Sequence, residues 1–222
     1  MNPMQDLLDT VERLRAPGGC PWDREQTHES LVKCLLEETA ELIDTIEERD
    51  FPHMREELGD VLLQVVMHAE IAREGGHFTF NDVAAEINEK LIRRHPHVFG
   101  TVKAETSEQV LVNWAAIKEE EKKEKKIERP AGSLKHPPRH LTTLLYADEL
   151  LKQLAKLHFV PVELDAGRVE KIADDLTEAE AGMKLLEIVA ACRRAKIDPD
   201  AALRKRARFI EDSFDKKSPP VR

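Results

Sequence analysis

Apolar residues recur at three- and four-residue intervals through most of the chain, and the rhythm breaks wherever glycine or proline clusters. Leu7, Leu8, Val11 and Leu14 share one face of a helix predicted over 6–15, which Pro17-Gly18-Gly19 ends. Cys20-Pro21-Trp22-Asp23 reads as a loop. A second helix over 30–48, with Ser30 as its cap, turns Leu31, Leu35, Leu42 and Ile46 to one side. A third over 53–73 packs through Leu58, Val61, Leu62, Val65 and Val66 and stops at Gly75-Gly76. Thr79, with Asp82 three residues on, opens a fourth that carries Val83, Ile87 and Leu91 to a stop at His95-Pro96. A fifth begins near Ser107 and runs into the charge block 118–126, which reads as a solvated helix tail. Further helices are expected over 139–157, 168–196 and 199–214, the last opened by Asp198-Pro199.

Composition fits this reading. Aromatic residues make up 5% of the 222 positions and strand-like runs are scarce, so the fold class is all-α, an antiparallel helical bundle. Arg129-Pro130-Ala131-Gly132-Ser133 followed by Pro137-Pro138 divides the chain. The expected organisation is a first helical domain over 1–128, a linker over 129–138, a second helical domain over 139–216 and a flexible tail over 217–222. A formal charge of -9 argues against nucleic acid as a partner. Three scattered cysteines (Cys20, Cys34, Cys192) suit reduced thiols in a cytoplasmic protein. The start lacks the pattern of a signal peptide, and no apolar run approaches membrane-spanning length.

Two short acidic motifs bring chemistry into the picture. Glu37-Glu38-Thr39-Ala40-Glu41 lies on the second helix and Glu57-Leu58-Gly59-Asp60 on the third, and spacings of three or four point each carboxylate pair one way. The break at Arg49-Asp50-Phe51-Pro52 lets the two helices fold back on each other, which brings Glu38, Glu41, Glu57 and Asp60 together. Glu38 falls inside the arc of Leu31, Leu35 and Leu42, and Glu41 and Glu57 lie at the edges of their arcs. Acids in a packed face cost several kcal/mol unless paired or metal-bound. The expected occupant is a hard divalent cation, Mg²⁺ with Mn²⁺ as a substitute.

Lys90, Arg93 and Arg94 stand at i, i+3 and i+4 near the end of the fourth helix. They either hold phosphate oxygens or complement the helix dipole. An adjacent metal site favours the first reading, because a metal with a basic cluster suits polyphosphate. Trp22 and Trp114 either stack on a base or pack in a core, and Lys118 follows Trp114 by one helical turn. Glu25-Gln26-Thr27-His28 has the spacing of a di-iron motif, but it occurs once and outside a helix, so it carries no weight; His53, His68 and His77 carry no signal.

Taken together, Gly19-Cys20-Pro21-Trp22-Asp23, Leu36-Glu37-Glu38-Thr39, Glu57-Leu58-Gly59-Asp60-Val61 and Arg93-Arg94-His95-Pro96-His97-Val98-Phe99 resemble the MazG proteins among the all-α nucleoside triphosphate pyrophosphohydrolases. The resemblance is dense over the first half of the chain. It implies Mg²⁺-dependent hydrolysis of a ribo- or deoxyribonucleoside triphosphate to the monophosphate and pyrophosphate, a reaction that serves nucleotide catabolism and pool cleansing. By the same resemblance Glu38, Glu41, Glu57 and Asp60 are the metal ligands, and Glu37, beside Glu38, orients or deprotonates the attacking water. Lys90, Arg93 and Arg94 hold the phosphates, and Trp114 with Lys118 closes the site. Assembly as a homodimer or higher homo-oligomer is implied as well, with no nucleic acid or membrane partner.

The second half reads as a degenerate copy of the first. Asp174-Asp175-Leu176-Thr177-Glu178 repeats the first acidic spacing, but Glu180-Ala181-Gly182-Met183 puts methionine where a carboxylate belongs, and no room for a turn separates the two. That decay leaves a second reading open, a non-catalytic nucleotide-binding or protein-interaction module.

Overall fold

A computed structural model describes residues 2–124, 132–162, 164–174 and 176–217. The described residues are helical with no strands, and they fall into two compact units, Met1–Glu121 and Lys122–Arg222.

The first unit opens with α1 (Pro3–Arg15), whose end is capped by the Asn2 side chain. There follow α2 (Pro21–Glu25), α3 (Val32–Glu48), α4 (Phe51–Glu74), α5 (Phe80–Arg94), α6 (Pro96–Phe99) and α7 (Ser107–Glu124). Val11 of α1, Leu31, and Val66 and Met67 of α4 form the buried core, flanked by Leu7, Leu8, Leu63 and Phe80. α3 packs most extensively on α4, and the link between them is tight. Arg49 ends α3 in the left-handed region at φ 58°, and Asp50 caps α4 by accepting from the His53 amide. The predicted four-residue break is thus two residues, with Pro52 inside the first turn of α4. Gly75 and Gly76 end α4, Gly76 at φ 70°, and Thr79 with Asp82 forms a complete capping box for α5, as their spacing predicts.

Three local expectations are corrected. Cys20-Pro21-Trp22-Asp23 is not a loop: Pro21 starts the short α2, since its missing N–H costs nothing at a first helical position. The side chain of buried Arg15 holds that helix by donating to the carbonyls of Asp23 and Gln26 and, through two 2.8 Å bonds, to both oxygens of Glu74. Ser30 does not cap α3; its hydroxyl donates to Gln26 at 2.7 Å, and Leu31 takes the cap position. The stretch 168–196 is two helices, as described next.

The second unit contains α8 (Thr143–Lys156), α9 (Ala166–Ala173), α10 (Glu178–Ala195) and α11 (Pro199–Lys217). Thr177 and Glu180 form a capping box that restarts the chain after α9, so one predicted helix becomes two. α8 and α11 enclose Tyr146, Leu150, Leu154, Ala207, Ile210 and Phe214, with Leu134 packed among them. Leu134 belongs to the stretch read as a linker, of which 129–131 lie outside the described residues. Glu211 is buried here and accepts from the Tyr146 hydroxyl at 2.5 Å and from His136 at 2.6 Å. Burial and that contact push the Tyr146 hydroxyl up to about 12. α11 runs to Lys217, and 218–222 of the predicted tail lie outside the described residues. Among the described residues no helix is long and apolar enough to cross a membrane.

Candidate active site

The α3–α4 hairpin gathers three of the four acids whose spacing predicts that they meet. One carboxylate oxygen each from Glu38, Glu41 and Glu57 lies within 4.8 Å of the others. Oxygens sharing one ion at bond lengths of about 2.1–2.5 Å can stand no more than about 4–5 Å apart, so the trio is already close to ligand spacing. Glu38 and Glu57 are half-buried and Glu41 is exposed. Asp60, one turn beyond Glu57, is not one of the three but acts on both half-buried acids. Glu38 is held above the ordinary carboxylate range by burial first, then by Asp60, Glu41, Glu57 and Glu37. Burial also raises Glu57, with Glu41, Asp60 and Glu56 adding to it and His53 opposing.

Glu57 Oε2 is shut off from solvent and accepts no hydrogen bond. A buried acceptor left without a partner is a cost that folded proteins rarely carry without a reason. A cation among these oxygens would answer it and would cancel the mutual repulsion of the acids. An all-carboxylate donor set suits Mg²⁺ or Mn²⁺ and lacks the nitrogen and sulfur that zinc prefers. Among the described residues no second such group forms. In the stretch read as a degenerate copy, Asp174 ends α9, Asp175 lies outside the described residues, and Glu180, Gly182 and Met183 sit on α10.

Glu37 is not one of the trio. Neighbouring helical residues diverge by about 100°, and Glu37 pairs with Lys33 at 3.2 Å on the exposed side.

The basic set forms a cluster of its own. Arg93 Nε donates to Glu121 at 2.8 Å, and Arg94 grips both oxygens of the same carboxylate, the shortest bond being 2.6 Å. The two arginines hold Glu121 down to about 2. Trp114 lies between cations, with the Arg94 guanidinium 5.4 Å and the Lys118 ammonium 4.2 Å from its ring centre. Lys90 is half-buried on α5. Among the described residues no hydrogen bond or ion pair joins Lys90, Arg93 or Arg94 to the four acids. The structure therefore gathers Glu38, Glu41 and Glu57, and separately gathers Arg93, Arg94, Trp114 and Lys118 around Glu121.

Glu121 corrects the reading of 118–126 as a solvated tail, for its side chain is 11% exposed. Residues 125 and 126 of that block lie outside the described residues. The signal was available: Trp114, Lys118 and Glu121 are four and three apart, one face of α7. Sequence reading also passed over His28 and His68, whose Nδ1 atoms meet at 2.8 Å.

Comparison with known proteins bears on this arrangement. A profile of the MazG nucleotide pyrophosphohydrolase domain matches residues 26–99, which contain both acidic motifs and Lys90 to Arg94 but neither Trp114 nor Lys118. The nucleoside triphosphate pyrophosphohydrolase/pyrophosphatase MazG of Thermotoga maritima is 42% identical over 223 residues, covering 96% of this chain and 84% of that protein. The nucleoside triphosphate pyrophosphohydrolase of Escherichia coli K12 is 43% identical over 80% of this chain and 66% of its own length. That of Mycolicibacterium smegmatis is 34% identical over 96% and 65%. An all-helical chain with a carboxylate trio on a helical hairpin, it belongs to the MazG nucleoside triphosphate pyrophosphohydrolase family.

Proposed function

We propose that the chain hydrolyses nucleoside triphosphates to monophosphate and pyrophosphate, dependent on Mg²⁺ with Mn²⁺ as a substitute, through its first unit, and that it acts as a homodimer. The observation that carries the reading is the buried, unanswered oxygen of Glu57 beside Glu38 and Glu41. The names of the relatives point to the same reaction.

Glu38, Glu41, Glu57 and Asp60 would hold the ion. Bound there, Mg²⁺ supplies charge neutralisation for the polyphosphate and a lowered pKa for water. The acids must be ionised to act as ligands, and burial with the neighbouring carboxylates makes Glu38 and Glu57 ionise above the ordinary carboxylate range. Glu37 would orient or deprotonate the attacking water with its exposed carboxylate, giving up Lys33 as it does so. Arg93 and Arg94 would exchange the Glu121 carboxylate for phosphate oxygens, which suit the same guanidinium fork. Lys90 adds a point charge one turn earlier. Trp114, with Lys118, would cover the phosphates.

The homodimer reading draws on the outer side of the hairpin, where Leu36, Ile43, Ile46, Leu58, Leu62 and Val65 are exposed. Clearing unwanted triphosphates from the nucleotide pool is the role such a reaction serves.

The test is pyrophosphate release from a panel of triphosphates with Mg²⁺, comparing the natural chain with Glu38→Gln. Loss of at least about a hundredfold in rate is expected, in line with removal of a group essential to transition-state charge. Equal rates would reject the site.

A further inference from the structure

His28 and His68 take no part in the contacts of the acidic trio. Their Nδ1 atoms are 2.8 Å apart, their ring planes differ by 4°, and their ring centres are 5.1 Å apart. So long a centre-to-centre distance with so short a nitrogen contact means that the rings meet edge to edge in one plane, not face to face. One ring donates its N–H along the lone pair of the other. This bond fixes the aim of His28, an exposed residue in the segment leading into α3, whose Nε2 has no partner among the described residues. Burial, with His28 adding to it, holds His68 below the ordinary imidazole value, which keeps it in the neutral form that such a bond needs.

The pair stands in line with the acids. Glu57, Asp60, Gln64 and His68 are separated by three, four and four residues and so share one stripe of α4. His68 is eight residues beyond Asp60, about 12 Å along the helix axis. Between them Gln64 is 6% exposed, and its Oε1 is buried with no hydrogen-bond partner. The stripe thus stays polar from the carboxylates to the two histidines, while Leu62, Leu63, Val65 and Val66 take the neighbouring positions. A nucleoside triphosphate whose phosphates lie at the acids extends its sugar and base over about that span.

From this placement we propose that His28, aimed by His68, contacts the nucleoside part of the substrate through Nε2, as a hydrogen-bonding residue that sets affinity for the sugar and base. His28 is the substrate-touching group and His68 a positioning residue. The proposal rests on the triphosphate reading of the acidic site.

The two products separate the two ends of the substrate. Calorimetric titration of the full chain with Mg²⁺ and either AMP or pyrophosphate is expected to show AMP affinity falling about tenfold in His28→Ala, the worth of one hydrogen bond, with pyrophosphate affinity unchanged. KM for ATP rises by a similar factor while kcat stays within about twofold. His68→Phe, which keeps a ring but removes Nδ1, gives a smaller fall in AMP affinity and a smaller rise in KM. His28→Gln recovers part of the loss and serves if His28→Ala does not fold. An effect with AMP that is missing with dAMP places the contact on the 2′-hydroxyl, and equal effects place it elsewhere on the nucleoside. If AMP and pyrophosphate weaken together, or neither changes, the proposal is overturned. A natural chain that binds neither product and releases no pyrophosphate defeats the triphosphate reading first, and this proposal with it.

Discussion

Arg94 closes on Glu121 across 27 residues of sequence, with both carboxylate oxygens of the glutamate held by one guanidinium and Trp114 against its face. The ion pair anchors α7 to the end of α5 in the first unit. It also occupies the arginine fork that the proposed function reserves for phosphate.

Arg94→Ala should therefore cost stability and weaken triphosphate binding together. Glu121 keeps Arg93 alone, and a largely buried carboxylate that loses its main partner costs about 1–3 kcal/mol. The pH dependence has a definite sign. Glu121 is depressed from 4.5 to about 2, so the pair's contribution is complete above about pH 4.5 and fades as pH falls through about 2. Urea unfolding of the two proteins should differ fully at pH 6, less at pH 3, and hardly at all near pH 2. A difference that grows on acidification would contradict the assignment.

Glu38 and Glu57 predict the opposite slope. Both are raised above the unfolded value of 4.5, so they favour the metal-free fold below that pH, and their contribution is lost as pH rises through the elevated values. Mg²⁺ needs the ionised forms and should reverse the trend. Thermal unfolding should show a shift of several degrees on adding millimolar Mg²⁺ at pH 7.5 and little at pH 4.5. Glu57→Gln should unfold at a higher temperature than the natural chain without Mg²⁺, and should lose most of the shift with it. An undiminished shift in that variant would place the bound ion elsewhere.

What could be read in advance follows the range of the interaction. Glu38, Glu41 and Glu57 meet because spacings within two helices and one short turn dictate it, and all of that is local. The Thr79–Asp82 cap is equally local. The Thr177–Glu180 cap carries the same signal, yet the apolar rhythm of Val169, Ile172, Leu176, Leu185 and Ile188 runs on through the break and hides it. α2 is too short for any rhythm, and only Pro21 betrays it. The Arg93–Arg94–Glu121 cluster and the His28–His68 bond join residues 27 to 40 apart, which no periodicity can bring together. Leu134 is legible as apolar but not as core, because its partners lie on α8 and α11.

The outer side of the α3–α4 hairpin gives a prediction on assembly. Leu36, Ile43 and Ile46 on α3 and Leu58, Leu62 and Val65 on α4 leave apolar side chains on the hairpin that are each at least about a third exposed. Water contact with such side chains is unfavourable by about 25 cal/mol for every Å² of apolar surface, so a second copy presenting the same face would cover them with a large gain. Ile43→Glu should turn a dimer into a monomer in sedimentation experiments, because a charge among these side chains meets its own copy across a two-fold axis. Pyrophosphate release should fall with it, recovering at high protein concentration if residual dimer forms. A variant that sediments as the natural chain does would remove this face from the interface. A monomer with full activity would show instead that the acids and arginines of one copy suffice.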